Sequence, residues 1–218
     1  MSMLGPYASY NKDLGMPSWD PNTEYVGIFE RHNWNPKGVI HVGMWDFVEH
    51  ECYTKLFGTY VIGIESNPET YALMSKPVAD RCGFKSFNLA AFNMDNAVVR
   101  LSKRGGESSL FGRADDAWDV PTLKLDTLIE REQIDMSQYN FLNIDAEGAE
   151  LFILQGIEKN LQHIDYIDLE ASYGPRNGAD VTLQILTEYL TVRGFKEVER
   201  SDSFASLGWG DVLFERIV

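Results

Sequence analysis

The feature that most constrains this chain is an alternation that begins at Gly38. From there, short β-branched apolar runs recur, separated by stretches with apolar residues at helical spacing. Short apolar runs bounded by turn signals read as strands buried on both faces, and a helical stretch between two of them reads as a crossover. Gly38–Gly43 is the first run. Val48, Cys52, Tyr53 and Leu56 follow at helical spacing, with Asp46 at the N-cap position, Glu49 three residues on as in a capping box, and Gly58 as terminator. Tyr60–Glu65 is the second strand, and Asn67-Pro68 opens a helix that Pro77 is expected to close. Lys85–Ala90 is the third. Ala97–Leu101 and Thr122–Leu125 are weaker strands flanking a Gly-, Ser- and Asp-rich loop, Lys103–Asp119. Tyr139–Asp145 and Ile164–Glu170 are the fourth and fifth strong runs, with a helix over Gly148–Ile157 between them. Asp180 is placed to cap a helix bearing Leu183, Leu186 and Leu190, which Gly194 stops. Phe195–Arg200 and Val212–Ile217 follow with no helix between them, which predicts an antiparallel edge hairpin. The whole predicts an α/β fold: an open, mostly parallel sheet with helices on both faces. Residues 1–37 lack this pattern and read as an extension packing on a domain of residues 38–218.

A chain of 218 residues is long enough for one domain with a sizeable core. Nineteen Lys and Arg stand against 33 Asp and Glu, a net charge of −14. Phosphate-rich partners need clustered positive charge, so nucleic acid and anionic membranes are poor partners. An apolar share of 44% excludes a disordered acidic chain. Cys52 and Cys82 form no metal-binding or disulfide pattern, the N-terminus lacks a signal-peptide pattern, and no apolar run is long enough to span a bilayer. The expectation is a cytoplasmic protein without a membrane span; oligomeric state is not legible.

In an open α/β sheet, ligands bind outside the carboxyl ends of the strands. Those ends carry His41 and Gly43, Glu65, Asp145 with Glu147, and Glu170. The first turn, Gly43-Met44-Trp45-Asp46, has one glycine and no pyrophosphate cradle, which argues against dinucleotides; no P-loop is present either. Glu65 lies 22 residues after Gly43, at the offset where an acid receives a ribose diol. A ribose acceptor without a phosphate cradle fits an adenosine cofactor without phosphate, such as S-adenosylmethionine. Its sulfonium and ammonium suit a crevice lined with carboxylates. Taken singly, Glu65 can be a solvated charge, Asp46 a plain helix cap, and His41 a core histidine. Glu147 and Glu150 fall at a helix start, where acids complement the helix dipole. Asp145 is not covered by that explanation and would project toward the crevice.

Leu142-Asn143-Ile144-Asp145-Ala146-Glu147-Gly148-Ala149-Glu150-Leu151, followed by Leu154-Gln155-Gly156, resembles the signature of FkbM-type methyltransferases. Further pieces agree in order: Gly38–Gly43, Gly63-Ile64-Glu65-Ser66-Asn67-Pro68, Asn88-Leu89-Ala90-Ala91, Glu107-Ser108-Ser109-Leu110, Leu125-Asp126-Thr127-Leu128 and Gly208-Trp209-Gly210-Asp211. The resemblance covers residues 38–217. It implies a Rossmann-like methyltransferase fold with a seven-stranded sheet, S-adenosylmethionine as cofactor, and cofactor contacts from His41, Gly43, Asp46, Glu65, Asn67, Ala90, Ala91 and Asp145. Many members carry Asp where His41 stands, and smaller residues at Met44 and Trp45.

The expected reaction is O-methylation of a hydroxyl on a saccharide or small metabolite. Such an acceptor needs its proton removed, and Asp145, Glu147 and Glu170 are the candidate bases, with His41 behind them. Asp145 can instead hold the methionine ammonium. The same carboxylates can ligate a divalent cation, a possible but less favoured reading. Ser108, Ser109, Trp209 and Asp211 are candidate acceptor contacts, while Asp115 and Asp116 read as solvated loop. The alternative is a catalytically degenerate relative that binds a ligand or partner, which His41 and Trp45 motivate.

Overall fold

The computed structural model describes residues 21–103, 108–111, 116–175, 178–201 and 207–217. Helix α1 is Pro21–Arg31, β1 Val39–Val42, α2 His50–Phe57 and β2 Val61–Glu65. Helix α3, Pro68–Thr70, runs through a π-helical turn, Tyr71–Ser75, into α4, Lys76–Cys82. Strands β3 (Lys85–Asn88), β4 (Ala90–Ala91), β5 (Val98–Ser102) and β6 (Ala117–Leu123) precede α5, Leu125–Arg131. Then come β7 (Phe141–Ile144), α6 (Glu150–Gly156), β8 (Tyr166–Ser172), α7 (Leu183–Thr191), β9 (Phe195–Arg200) and β10 (Trp209–Arg216).

The main sheet has seven strands in the order β3-β2-β1-β7-β8-β10-β9. Its first five are parallel, and β10 runs antiparallel to both β8 and β9. This is the expected open sheet with its edge hairpin. Strands β4, β6 and β5 form a separate small sheet beside it.

Successive strand residues point to opposite faces, and the two faces differ. Ile40, Val42, Ile62, Ile64, Leu142, Ile144, Ile167 and Leu169 pack against α5, α6 and α7 in an aliphatic core. The alternate residues Val39, Val61, Phe141 and Leu213 meet an aromatic core built by Tyr25 and Phe29 of α1 and Tyr53 and Phe57 of α2. Helix α1 therefore packs directly on the sheet. Among the described residues, no helix is long and apolar enough to cross a membrane.

Three local expectations fail for stated reasons. Asp46 does not cap a helix: α2 starts at His50, with Glu49 at the N-cap and no side-chain cap bond. Trp45 and Phe47 have φ of 44° and 57°, left-handed backbone that no helix contains. Pro77 does not close its helix. The π turn precedes it and Pro77 falls in the first turn of α4, where its missing N–H is tolerated, so the helix runs to Cys82 with Gly83 as a left-handed cap. Asp180 is not the cap of α7, since Thr182 occupies that position. In addition, β6 starts at Ala117, inside the predicted loop, and Leu125 begins a helix rather than ending a strand.

Candidate active site

Register lines up the strand ends. His41 pairs with Gly63 and Asn143, Asn143 with Asp168, and Glu170 with Asp211. Residues two further along each strand lie on the same face. Glu65, Gly43, Asp145, Glu170 and Asp211 thus form one row across five strands, on the aromatic side of the sheet. The strand-end oxygens of Asp145, Glu147 and Glu170 all lie within 4.8 Å of one another. Such a triad offers attraction for a cationic ligand, or oxygen ligands for a divalent ion.

The turns beneath these acids are rigidly built. Gly43 has φ +93°, and a Cβ there would sit 1.7 Å from the Asp145 carbonyl oxygen, so no other residue fits between β1 and β7. Met44 lies across Gly63, where a Cβ would meet its Sδ at 1.9 Å. Glu65 is buried, and its carboxylate accepts from the Trp45 N–H at 2.8 Å and the Asn67 N–H at 2.7 Å. It therefore ties the first loop to the second. Ser75 Oγ donates to the Trp45 carbonyl at 2.5 Å, fixing that residue from its other side. Asn67 caps α3 by accepting from the N–H groups of Glu69 and Thr70.

The turn after β7 is held in the same manner. Glu150 is buried and its Oε1 accepts from Ala146 N–H at 3.2 Å and Gly148 N–H at 3.0 Å. Ser109 Oγ donates to the Glu147 carbonyl at 2.7 Å, which brings the segment around Ser109 against the turn. Glu147 itself has φ 51°. Beside the turn, Gly148, Glu150, Glu170, Ala171, Ser172, Val181 and Leu186 line a small, shallow cleft.

The electrostatics converge on one residue. Burial pushes Glu49 up to about 8 and Glu150 up to about 7, and raises Glu65. The charge of Asp145 adds to the rise at all three. A cation beside Asp145 would lessen these repulsions together, so the acidic donor set is of the right charge for a sulfonium cofactor.

The remaining sequence candidates are distributed as follows. His41 lies in the core against Phe47 and Tyr53, and burial pushes it down to about 3. The imidazole held there is surrounded by aromatic rings. Asp46 is half-buried and raised by burial. Ala90 and Ala91 are buried in β4, paired with Thr122 and Leu123. Ser109 is buried and supports the Glu147 turn. Ser108 is half-buried beside it. Trp209 lies opposite Ser172, and exposed Asp211 opposite Glu170. Asp116 pairs with Lys103. Glu107 and Asp115 lie outside the described residues.

The sequence marks Glu49 only as part of a capping box and Glu150 only as a helix-start acid, and it gives no role in the site to the buried set Tyr25, Tyr53, Asn143 and Asp168. A signal for the last two exists: VIHVG, FLNID and YIDLE each place a polar residue two before the strand end.

No curated protein matches the chain significantly in sequence. Among solved structures, an S-adenosylmethionine-dependent methyltransferase from Aquifex aeolicus superposes with a TM-score of 0.50 at 13% identity, over 97% of this chain and 98% of that one. EvdMO1 superposes with a TM-score of 0.50 at 11% identity, over 91% of this chain and 41% of that one. At these identities the likeness concerns the fold. The FkbM methyltransferase domain model matches residues 35–197, which contain β1 through the strand-end acids and α7. The chain belongs to the FkbM methyltransferase-domain family, whose methyl donor is S-adenosylmethionine.

Proposed function

We propose that the protein transfers a methyl group from S-adenosylmethionine to a hydroxyl oxygen of a saccharide or small metabolite, in the crevice above Asp145. The observation that carries this reading is the convergence of Asp145, Glu147 and Glu170 within 4.8 Å, with Glu65 in the same row. Glu65 is suited to the ribose diol, because its carboxylate is oriented by the Trp45 and Asn67 N–H groups at the end of β2. Asp145 is suited to the positive end of the cofactor. When bound, the cofactor supplies an electrophilic methyl on a positively charged sulfur.

The chain's own part is alignment and proton acceptance. The Gly43 and Glu147 turns, pinned by Glu65, Glu150 and Ser109, fix the carboxylates before any ligand arrives, and such placement supplies roughly 7–11 kcal/mol in favourable cases. Glu170, which also lines the neighbouring cleft, or Glu147 accepts the acceptor hydroxyl proton as the oxygen attacks. The acidic surroundings and the net charge of −14 favour a neutral, hydroxyl-bearing acceptor over a polyphosphate. The free thiols of Cys52 and Cys82 suit a reducing, cytoplasmic setting.

The test is S-adenosylhomocysteine release from S-adenosylmethionine across a panel of saccharides and small alcohols. Acceptor-dependent release is expected. Cofactor binding without release on any acceptor would favour the second reading, a non-catalytic binding module, which Met44 seated over Gly63 and the pinned Trp45 backbone support.

A further inference from the structure

Below the row of acids lies a second polar row, buried in the aromatic core. Asn143 Nδ2 donates to Tyr25 OH at 2.7 Å and to Tyr53 OH at 2.8 Å. Tyr25 OH in turn donates to Asp168 Oδ2 at 2.9 Å. Asn143 and Asp168 are register partners on β7 and β8, each two residues before Asp145 and Glu170 on the same face. One hydroxyl therefore links the two strands whose ends carry the site.

That hydroxyl comes from α1, which lies N-terminal to the family-matched residues 35–197. Packing alone does not call for it. The Tyr25 ring already meets Phe29, Tyr53 and Phe141 at centroid distances of 6.4, 5.8 and 5.9 Å, contacts that a phenylalanine would keep. The oxygen adds only the polar link, and in a buried site such a link restricts where its partners can point. Anchored from α1 by Tyr25 and from α2 by Tyr53, Asn143 has both its amide donors used within one fixed geometry.

We propose that Tyr25 is a positioning residue of the methyl-transfer site, acting through Asn143 and Asp168 to aim Asp145 at the positive sulfur and to hold Glu170 beside it. This rests on the methyl-transfer reading above. The N-terminal helix is then part of the working domain.

The test compares dissociation constants for S-adenosylmethionine and for S-adenosylhomocysteine, which lacks the sulfonium charge, in wild type and Tyr25→Phe. The ratio of the two constants is expected to move at least about threefold toward S-adenosylhomocysteine, whose own affinity stays within about twofold. A lowered melting temperature with an unchanged ratio would make Tyr25 a structural residue only and overturn the proposal. Should Tyr25→Phe fail to fold, Tyr53→Phe removes the opposite anchor of Asn143, with the same expected shift and the same overturning result. A wild type that binds neither ligand overturns the methyl-transfer reading itself. A wild type that binds both, with variants of unchanged ratio, overturns this inference alone.

Discussion

The two faces of the central sheet are built from the same strands and do different work. On one face, Ile40, Val42, Leu142, Ile144, Ile167 and Leu169 share a mainly aliphatic core with the stripes of α5, α6 and α7. On the other, aromatic rings surround His41, Asn143 and Asp168, and the row ends in acids. The first face contributes apolar burial. The second accepts buried polar groups because each hydroxyl, amide and carboxylate in it has a defined role in orienting the next. Side-chain alternation along β1, β7 and β8 thus puts an apolar core on one face and a buried polar row on the other.

That separation predicts which changes have which effect. The largest stability effect is expected on the aliphatic face away from the crevice. Leu190 of α7 is fully buried, and Leu190→Ala should cost about 2–5 kcal/mol. Denaturant titration measures the loss, and the affinity of the folded protein for S-adenosylmethionine should stay within about twofold of wild type. A large loss of affinity would break the separation.

Next comes a pH effect from the turn that joins the two faces. Burial holds Glu150 at about 7 against an ordinary value of 4.5, so the folded chain retains a proton that the unfolded chain gives up. Its contribution to stability is complete below pH 4.5 and is lost as pH rises to about 7, on the order of 3 kcal/mol. Glu150→Gln keeps an oxygen for the Ala146 and Gly148 N–H groups and cannot ionise. Stability measured from about pH 5 to about pH 8 should decline less steeply in this variant than in wild type. Equal slopes would mean that the buried carboxyl is already ionised in the folded state. The smallest effect belongs to the surface: Val192 is 78% exposed, and Val192→Ser should change stability by less than about 0.5 kcal/mol and leave affinity unaltered.

Much of this organisation was legible in the chain itself, because hydrophobic burial acts through local periodicity. The runs at Val39, Val61, Phe141 and Tyr166 became parallel strands, and the last two apolar runs became the antiparallel edge pair β9 and β10. What escaped depends on backbone conformation or on distant partners. Asp46 and Glu49 spell a capping box, yet left-handed Trp45 and Phe47 delay the helix to His50. Glu150 has the position of a solvent-facing helix-start acid, and only the fold of the preceding turn buries it under two N–H groups. Tyr25 sits outside the regular alternation, and its link to Asp168 spans 143 residues of chain, beyond the reach of any local pattern. His41 showed the reverse case: its strand position suggested the crevice, but its ring occupies the aromatic core one row below.

The central claim is that the acids at the strand ends of the aromatic face hold the positive charge of the cofactor, with Asp145 at their centre. Titration calorimetry of S-adenosylmethionine into wild type and Asp145→Asn measures this directly. Asp145→Asn keeps the side-chain size and the fold while removing one charge from the row. The account predicts saturable binding by wild type and affinity weakened about tenfold or more in the variant, with its melting temperature retained. Equal dissociation constants for the two proteins, or no binding by wild type at millimolar cofactor, would contradict it.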